Sequence, residues 1–171
     1  MASPPDDFAR VYEEHVWDVY GFFGYRLRSR AECEDLTQQT FERALRAWNR
    51  FDPDRASPKT WLLAIARNLL IDHYRRGSAK EILVDEPVES SESAPAADSD
   101  LGLDPELEQA LAALTDRERE LLALRYGGDL NGPEIAEATG LTLANVQQIL
   151  SRSLRKLRSI LEGEKTPGPT G

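Results

Sequence analysis

The chain has 171 residues, 40% hydrophobic side chains, one cysteine and a formal net charge of −9 at pH 7. This length suits one ordinary domain or two small ones, and no apolar run approaches the roughly 20 residues that cross a bilayer. The single cysteine excludes an intrachain disulfide and a cysteine-based zinc site, and the first residues lack the pattern of a secretory signal. We therefore expect a cytoplasmic protein without membrane contact.

The negative charge is concentrated in the middle of the chain. Residues 77–105 hold one basic and eight acidic side chains, whereas residues 1–76 hold twelve of each. The middle segment is also rich in Ser, Ala and Pro, and its apolar residues follow no helical period. The domain boundaries expected from this pattern are an ordered block at 7–76, a flexible acidic linker at 77–104, an ordered block at 105–161 and disordered ends at 1–6 and 162–171.

The first block predicts three amphipathic helices. Apolar residues recur at helical spacing over about 7–27, with Asp7 as the expected cap, and again over about 31–50. Ser57 followed by a proline is typical of a helix start, and the third helix is expected at 58–76. Three such helices with short connections favour an all-α fold.

The second block predicts four helices in about 55 residues. A short apolar helix begins near Pro105. Thr115 with Glu118 predicts a capping box at the start of the next helix, and Gly127 with its neighbouring glycine is expected to close that helix. Two further helices follow.

Residues 131–158 have the steric pattern of a helix-turn-helix. Ala136 permits close approach of a second helix, Gly140 suits a left-handed turn, and Val146 pins the second helix to the first. Asn131 is expected to cap the first helix, and the second should run from about 143 to 160. The side chains expected to meet a DNA groove or its flanking phosphates are Thr142, Leu143, Ala144, Asn145, Gln147, Gln148, Ser151, Arg152 and Arg155.

Catalytic motifs are missing from the sequence. It contains no Gly-rich phosphate loop, no HExxH, no Glu-x-x-His pair and no Ser or Cys with a plausible triad. We expect no enzymatic activity, no cofactor, no metal and no small-molecule substrate. Cys33 is expected to be a small packing residue, with a redox-sensing thiol as the less favoured alternative.

Both ordered blocks resemble the extracytoplasmic-function (ECF) group of bacterial sigma factors, the dissociable specificity subunits of RNA polymerase. Residues 35–52, DLTQQTFERALRAWNRFD, are similar to region 2.2, and residues 57–76, SPKTWLLAIARNLLIDHYRR, to regions 2.3 and 2.4. Residues 114–126, LTDRERELLALRY, and the helix-turn-helix resemble regions 4.1 and 4.2. The resemblance implies two small helical domains, a region 2 bundle and a region 4 helix-turn-helix, joined by the flexible acidic linker.

The resemblance also implies roles for both blocks. Region 2.2 would dock on the coiled coil of the polymerase β′ subunit, through Asp35, Gln38, Gln39, Glu42, Leu45 and Trp48. The third helix would read and help to melt the promoter −10 element, through Lys59, Trp61, Asn68, Asp72, His73, Arg75 and Arg76. Region 4 would bind the β flap and read the −35 element. An anti-sigma factor is a further partner that such proteins often have.

Two glutamines depart from the family pattern. The family commonly has a Lys or Arg, followed by a small or basic residue, where this chain has Gln147 and Gln148. Glutamine pairs with adenine through two hydrogen bonds, whereas Arg or Lys prefers guanine. We therefore expect a −35 preference that includes an A·T pair. Because the groove position has two fewer cations, we also expect weak DNA affinity without polymerase.

The sequence leaves two other functions open. One is a stand-alone helix-turn-helix regulator whose first domain senses a signal, and the other is an inhibitor that binds polymerase. The first block favours neither, since it predicts a polar docking helix followed by a basic-tipped helix rather than a sensor pocket.

Overall fold

The computed structural model describes residues 4–83 and 104–163, with side chains for 7–77 and 104–163. Every regular element in these residues is helical, as predicted. The helices are α1 (Pro4–Gly24), α2 (Arg30–Arg46), α3 (Pro58–Leu83), α4 (Pro105–Ala112), α5 (Asp116–Leu122), α6 (Gly132–Thr139) and α7 (Leu143–Gly163). A 3-10 turn at Trp48–Arg50 follows α2, and a wider π-helical turn at Ala123–Gly127 follows α5.

Side-chain caps begin several helices at the predicted residues. The Ser57 hydroxyl accepts a hydrogen bond from a backbone N–H in the first turn of α3, at 3.2 Å. At α5, Thr115 and Glu118 form both bonds of a capping box, at 3.2 and 2.9 Å. Asn131 and Glu134 do the same at α6, at 2.9 and 3.0 Å. Each cap satisfies N–H groups that have no partner within the helix, and typically stabilises it by about 1 kcal/mol.

Several helix ends differ from the prediction. The first helix begins at Pro4, so residues 4–6 are helical and Asp7 lies inside the helix instead of capping it. α2 stops at Arg46, α3 continues to Leu83 beyond the predicted end at 76, and α7 continues to Gly163. Apolar periodicity marks the buried face of a helix and does not fix where its terminal turns end. Residues 84–103 of the predicted linker and 164–171 of the predicted tail lie outside the described residues.

Among the described residues, one large apolar core runs through both helical blocks. Phe22 of α1 and Leu63 of α3 are buried in the same cluster as Leu124, Ile135 and Val146 of the second block. Complete burial of each such side chain contributes roughly 1.5–3 kcal/mol of transfer free energy. The two blocks therefore pack against each other in this structure. The prediction for Cys33 is confirmed, since its side chain is buried in this core.

The backbones of the two blocks meet at a pair of glycines. A Cβ atom added to Gly21 of α1 would lie 2.6 Å from the carbonyl oxygen of Gly127 in the π-helical turn. A Cβ atom added to Gly127 would lie 2.5 Å from the carbonyl oxygen of Gly21. No side chain fits at either position without moving one backbone away from the other.

Candidate nucleic-acid interface

The helix-turn-helix has the geometry that its steric pattern predicts. Gly140 adopts a left-handed conformation with a φ of 74°, and its N–H donates to the carbonyl oxygen of Ala136 at 2.9 Å. Thr142 caps α7 by accepting a hydrogen bond from the backbone N–H of Asn145 at 3.2 Å. Val146 is completely buried, which fixes α7 against α6. The opposite face of α7 is thereby turned outward.

All nine side chains predicted to meet a groove are exposed. They lie on α7 and its cap, between positions 142 and 155. The spacings of Ala144, Gln147, Gln148, Ser151 and Arg155 put these five on neighbouring positions of the helix surface. Arg152 and Arg155 follow the two glutamines along the helix and are exposed as well. Lys156, by contrast, turns back to the Glu118 carboxylate at 3.4 Å. The outer face of α7 thus offers polar groups at its start and cations farther along.

The predicted −10 residues of α3 fall into two groups. Five of them share one face of the helix, because their spacings are close to multiples of a helical turn; they are Trp61, Asn68, Asp72, Arg75 and Arg76. Asn68 and the two arginines are exposed, whereas Trp61 and Asp72 are half-buried. This face can present hydrogen-bonding groups and two cations to a nucleic acid.

Lys59 and His73 do not join that face. The Lys59 ammonium donates to the carbonyl oxygen of Asp129 at 3.0 Å and lies 3.2 Å from its carboxylate. The imidazole of His73 lies 3.8 Å from the carboxylate of Glu32 in α2. Their positions on the helix put them outside the face that the other five share, and their partners come from other elements.

Trp61 belongs to an aromatic cluster at the corner between α2 and α3. Its ring centroid lies 4.9 Å from that of Phe51 and 6.0 Å from that of Trp48. The Trp48 and Phe51 rings are stacked at 5.1 Å, and Phe8 of α1 contacts Trp48 edge-on at 5.5 Å. Trp48, predicted to belong to the docking surface, is therefore directed into this cluster, away from the exposed face of α2.

The other five predicted docking residues form one continuous face of α2. Gln39 donates to the Asp35 carboxylate at 2.7 Å, and Gln38 donates to the Glu42 carboxylate at 3.3 Å. Leu45 stands at the end of this face with 55% of its surface exposed. An exposed leucine beside paired polar groups is a suitable contact for a partner helix.

A groove of about 940 Å³ runs between α1 and α2 beside this face. Gln38, Glu42 and Leu45 line one side. Tyr12 and Trp17 of α1 line the other, with 45% and 75% of their surfaces exposed. The α1 side of the groove was not predicted from the sequence; Trp17, which lies outside the apolar stripe of its helix, was the available signal.

Three polar side chains tie α3 to the second block. The guanidinium of Arg67 bonds to the Glu120 carboxylate and donates to the carbonyl oxygen of Ala138 at 2.7 Å. Thr60 donates to the Glu134 carboxylate at 3.3 Å, and Lys59 binds Asp129 as described above. The third helix is therefore held by the second block along its first half.

The capping box at the start of α5 shifts the pKa of its glutamate. The backbone N–H of Thr115 holds the pKa of the Glu118 carboxyl below its usual value. Burial opposes this shift, and Lys156 supports it. Across residues 4–83 and 104–163, no group of three or more His, Cys, Asp or Glu side chains is placed to hold a metal ion, and no helix is long and apolar enough to cross a membrane.

Known proteins resemble both blocks. The family models Sigma-70 region 2 and Sigma-70, region 4 match residues 11–80 and 110–159. The chain is 30% identical over 165 residues to the ECF RNA polymerase sigma factor BldN of Streptomyces coelicolor, covering 94% of this chain and 62% of BldN, so it spans less than two thirds of that relative. It is 28% identical over 162 residues to the ECF RNA polymerase sigma factor SigK of Mycobacterium ulcerans, covering 92% of this chain and 87% of SigK. The fold is similar to that of the sigma factor RpoE in its complex with the anti-sigma factor NepR from Bartonella quintana, with a TM-score of 0.74, 23% identity, and coverage of 91% of this chain and 97% of RpoE.

Proposed function

This chain belongs to the extracytoplasmic-function group of sigma-70 factors, and we propose that it binds core RNA polymerase and directs promoter-specific transcription initiation. The observation that carries the proposal is the outward face of α7, where all nine expected groove residues are exposed on a formed helix-turn-helix. The proposed role requires no cofactor and no catalytic step by this chain. It places the protein in the cytoplasm, where polymerase and promoter DNA meet.

The start of α7 is proposed to read the −35 element. Gln147 and Gln148 are exposed within two turns of the helix start, which is the part of a recognition helix that reaches base edges in the major groove. Each has both a donor and an acceptor, as adenine requires. Arg152 and Arg155 lie farther along the helix and would contact backbone phosphates.

The exposed face of α3 is proposed to read the −10 element. A melted base needs groups that stack on it or bond to its edges, and Asn68, Arg75 and Arg76 are free to approach DNA on one face. Lys59 and His73 would contribute only after they leave Asp129 and Glu32. Of the seven expected −10 residues, these two have the weakest structural support.

The face of α2 and the adjoining groove are proposed to bind the coiled coil of polymerase β′. Asp35, Gln39 and Leu45 offer charge, hydrogen bonds and an apolar contact on one side of the helix. The tyrosine and tryptophan of α1 would widen this surface. The β flap is the proposed partner of the second block, and an anti-sigma factor is a further proposed partner.

Run-off transcription with core polymerase tests the proposed function. We expect promoter-dependent transcripts from a template set only when this chain is added. The double variant Gln147→Ala Gln148→Ala should lower promoter selectivity while retaining polymerase binding. Specific DNA binding without polymerase, and no transcripts, would support a stand-alone regulator instead. Lower output from polymerase carrying another sigma factor, again without new transcripts, would support an inhibitor.

A further inference from the structure

Asn131 and Gly132 form an Asn–Gly pair at the start of α6. Asn131 is exposed, and Gly132 is the first residue of the helix, so the N–H of Gly132 has no partner within α6. A glycine has no side chain to shield its backbone nitrogen, and its backbone rotates freely. In such a pair the glycine nitrogen can attack the asparagine side chain, which then loses ammonia.

This deamidation needs only water as a second reactant. The Gly132 nitrogen gives its proton to solvent base and attacks the side-chain carbonyl carbon Cγ of Asn131. The new N–C bond closes a five-membered succinimide ring, the bond from Cγ to the side-chain nitrogen breaks, and that nitrogen leaves as ammonia. Water then opens the ring at either carbonyl. One opening gives aspartate, and the other gives isoaspartate, in which the main chain runs through Cγ.

Three hydrogen bonds hold Asn131 away from this reaction in the folded chain. Its side-chain oxygen accepts from the N–H of Glu134 at 2.9 Å, and its own N–H donates to the Glu134 carboxylate at 3.0 Å. Its carbonyl oxygen accepts from the N–H of Ile135 at 3.0 Å. A closed succinimide ring fixes the ψ angle of Asn131 far from its extended value of 171°. The capped first turn must therefore open before the ring can close.

The products of the reaction would act on the contact between α6 and α7. A Cβ atom added to Gly132 would lie 3.0 Å from Cδ1 of Leu143, at the start of α7, and Ile135 of α6 is completely buried. Isoaspartate at position 131 adds one atom to the main chain directly before these contacts and removes the capping geometry. It therefore displaces the first turn of α6 from the proposed recognition helix.

We propose that Asn131 is a deamidation site, that its capping box keeps it intact while α6 is folded, and that isoaspartate at this position disables the helix-turn-helix. The first two statements concern the chain by itself, whereas the third rests on the proposed function. The chain thereby loses its reading of the −35 element as it ages, at a rate set by the opening of one helical turn.

Four substitutions test the site and its cap. Glu134→Ala removes the glutamate of the capping box and should speed deamidation about fivefold, because a cap of typical strength shifts the opening of the first turn by that factor. Glu118→Ala is the matched control, since it removes the same residue from the capping box of α5 and leaves Asn131 untouched. Gly132→Ala shields the attacking nitrogen and should nearly stop the reaction. Asn131→Ser keeps a capping side chain that has no amide to lose.

The full chains are incubated at mildly alkaline pH, either folded or unfolded in urea, and circular dichroism confirms which state is present. Peptide mass spectrometry follows the conversion of the Asn131 amide, and protein isoaspartyl methyltransferase with labelled S-adenosylmethionine counts isoaspartate. We expect rapid conversion in urea, slow conversion in the folded natural chain and in Glu118→Ala, and faster conversion in folded Glu134→Ala. Promoter binding with polymerase should fall in step with isoaspartate in the natural chain, and should persist in Asn131→Ser incubated equally long.

Each statement of the proposal can fail by itself. An Asn131 amide that stays intact in the unfolded chain refutes the site. Equal rates in the folded and unfolded natural chain, or in folded Glu134→Ala and Glu118→Ala, refute protection by the cap; if Glu134→Ala does not fold, the first comparison decides. Full promoter binding by chains that carry isoaspartate refutes the effect on the helix-turn-helix. Fresh chains that do not bind polymerase would refute the proposed function, and the deamidation rates would still decide the first two statements.

Discussion

Arg67 of α3 forms a partly buried ion pair with Glu120 of α5. The Arg67 side chain is 24% exposed and the Glu120 side chain is 17% exposed. The same guanidinium donates to the carbonyl oxygen of Ala138. Hydrogen bonds that involve a charged group are worth more than neutral ones, and their loss leaves the remaining partner poorly solvated.

Replacement of Arg67 by alanine should destabilise the chain by about 2 kcal/mol, because Glu120 loses its main partner in a partly buried site. The control is Arg55→Ala, since Arg55 is 89% exposed and lies 3.8 Å from Asp52. That variant should change stability by less than about 0.5 kcal/mol. Urea unfolding monitored by circular dichroism measures both. Equal midpoints for the two variants would contradict the prediction.

Gly140 is required by its backbone conformation and not by lack of space. Its φ is 74°, and an added Cβ would meet nothing within 4 Å. Gly140→Ala should therefore cost about 1–2 kcal/mol through the left-handed conformation alone. Gly140→Asn should cost less, because asparagine tolerates that region. Thermal unfolding compares both variants with Gly24→Ala, because a Cβ atom at Gly24 also meets nothing within 4 Å and Gly24 has an ordinary φ. A loss of stability of the same size in Gly24→Ala would exclude this explanation.

The capping box at Glu118 should make stability depend on pH. The pKa of Glu118 in the folded chain lies below its usual value, chiefly because of the Thr115 backbone N–H. The folded state therefore binds its proton less readily than the unfolded state. The resulting stabilisation is present above the unfolded pKa and is lost as the pH falls through the folded pKa.

Glu118→Gln should reveal this contribution. At pH 7 the variant should be less stable than the natural chain, and the difference should shrink as the pH falls below the usual pKa of 4.5. Urea midpoints at pH 7, 5 and 3 measure it. A difference that stays constant across this range would show that the Glu118 charge contributes nothing.

The two glutamines of α7 should determine base preference, and Arg155 should determine overall affinity. Replacement of Gln147 or Gln148 by alanine should relax the preference for one A·T pair by about 1–3 kcal/mol. Arg155→Ala should weaken binding to every sequence. It should also lower the slope of log affinity against log salt concentration by about one. Binding selections with the polymerase holoenzyme separate these effects. An unchanged base preference in both glutamine variants would reject their assignment.

Trp17 should contribute to polymerase binding without contributing to folding. Its side chain is 75% exposed in the groove between α1 and α2. An aromatic residue that becomes buried in an interface commonly contributes 2 kcal/mol or more, so Trp17→Ala should weaken core binding roughly thirtyfold. Ile71→Ala, at an apolar residue of α3 with 40% exposure, is the control. Equal affinities for the two variants would place the interface elsewhere.

Features fixed by nearby residues could be predicted from the sequence. The capping pairs Thr115–Glu118 and Asn131–Glu134, and the turn at Gly140, each depend on atoms within four residues. Their chemistry is therefore contained in short stretches of sequence. The exposed face of α7 followed for the same reason, since Val146 fixes which side of that helix is buried.

Contacts between distant elements could not be predicted in this way. The resemblance to regions 2.3 and 2.4 assigned Lys59 and His73 to a DNA-binding set, but their partners Asp129 and Glu32 belong to other elements of the fold. Trp48 was assigned to docking by the resemblance to region 2.2, yet the 3-10 turn directs it into an aromatic cluster. The packing of one block on the other was missed because apolar residues such as Leu63 fit a core within their own block.

The positions of the three tryptophans give the chain its own optical probes. Trp17 stands exposed at the proposed docking groove, while Trp48 and Trp61 lie together at the start of the proposed −10 helix, 6.0 Å apart. A soluble quencher such as iodide reaches an exposed indole far more readily than a packed one. Quenching can therefore follow docking through Trp17 and promoter opening through Trp61 in the same unlabelled protein, provided the polymerase contribution is subtracted.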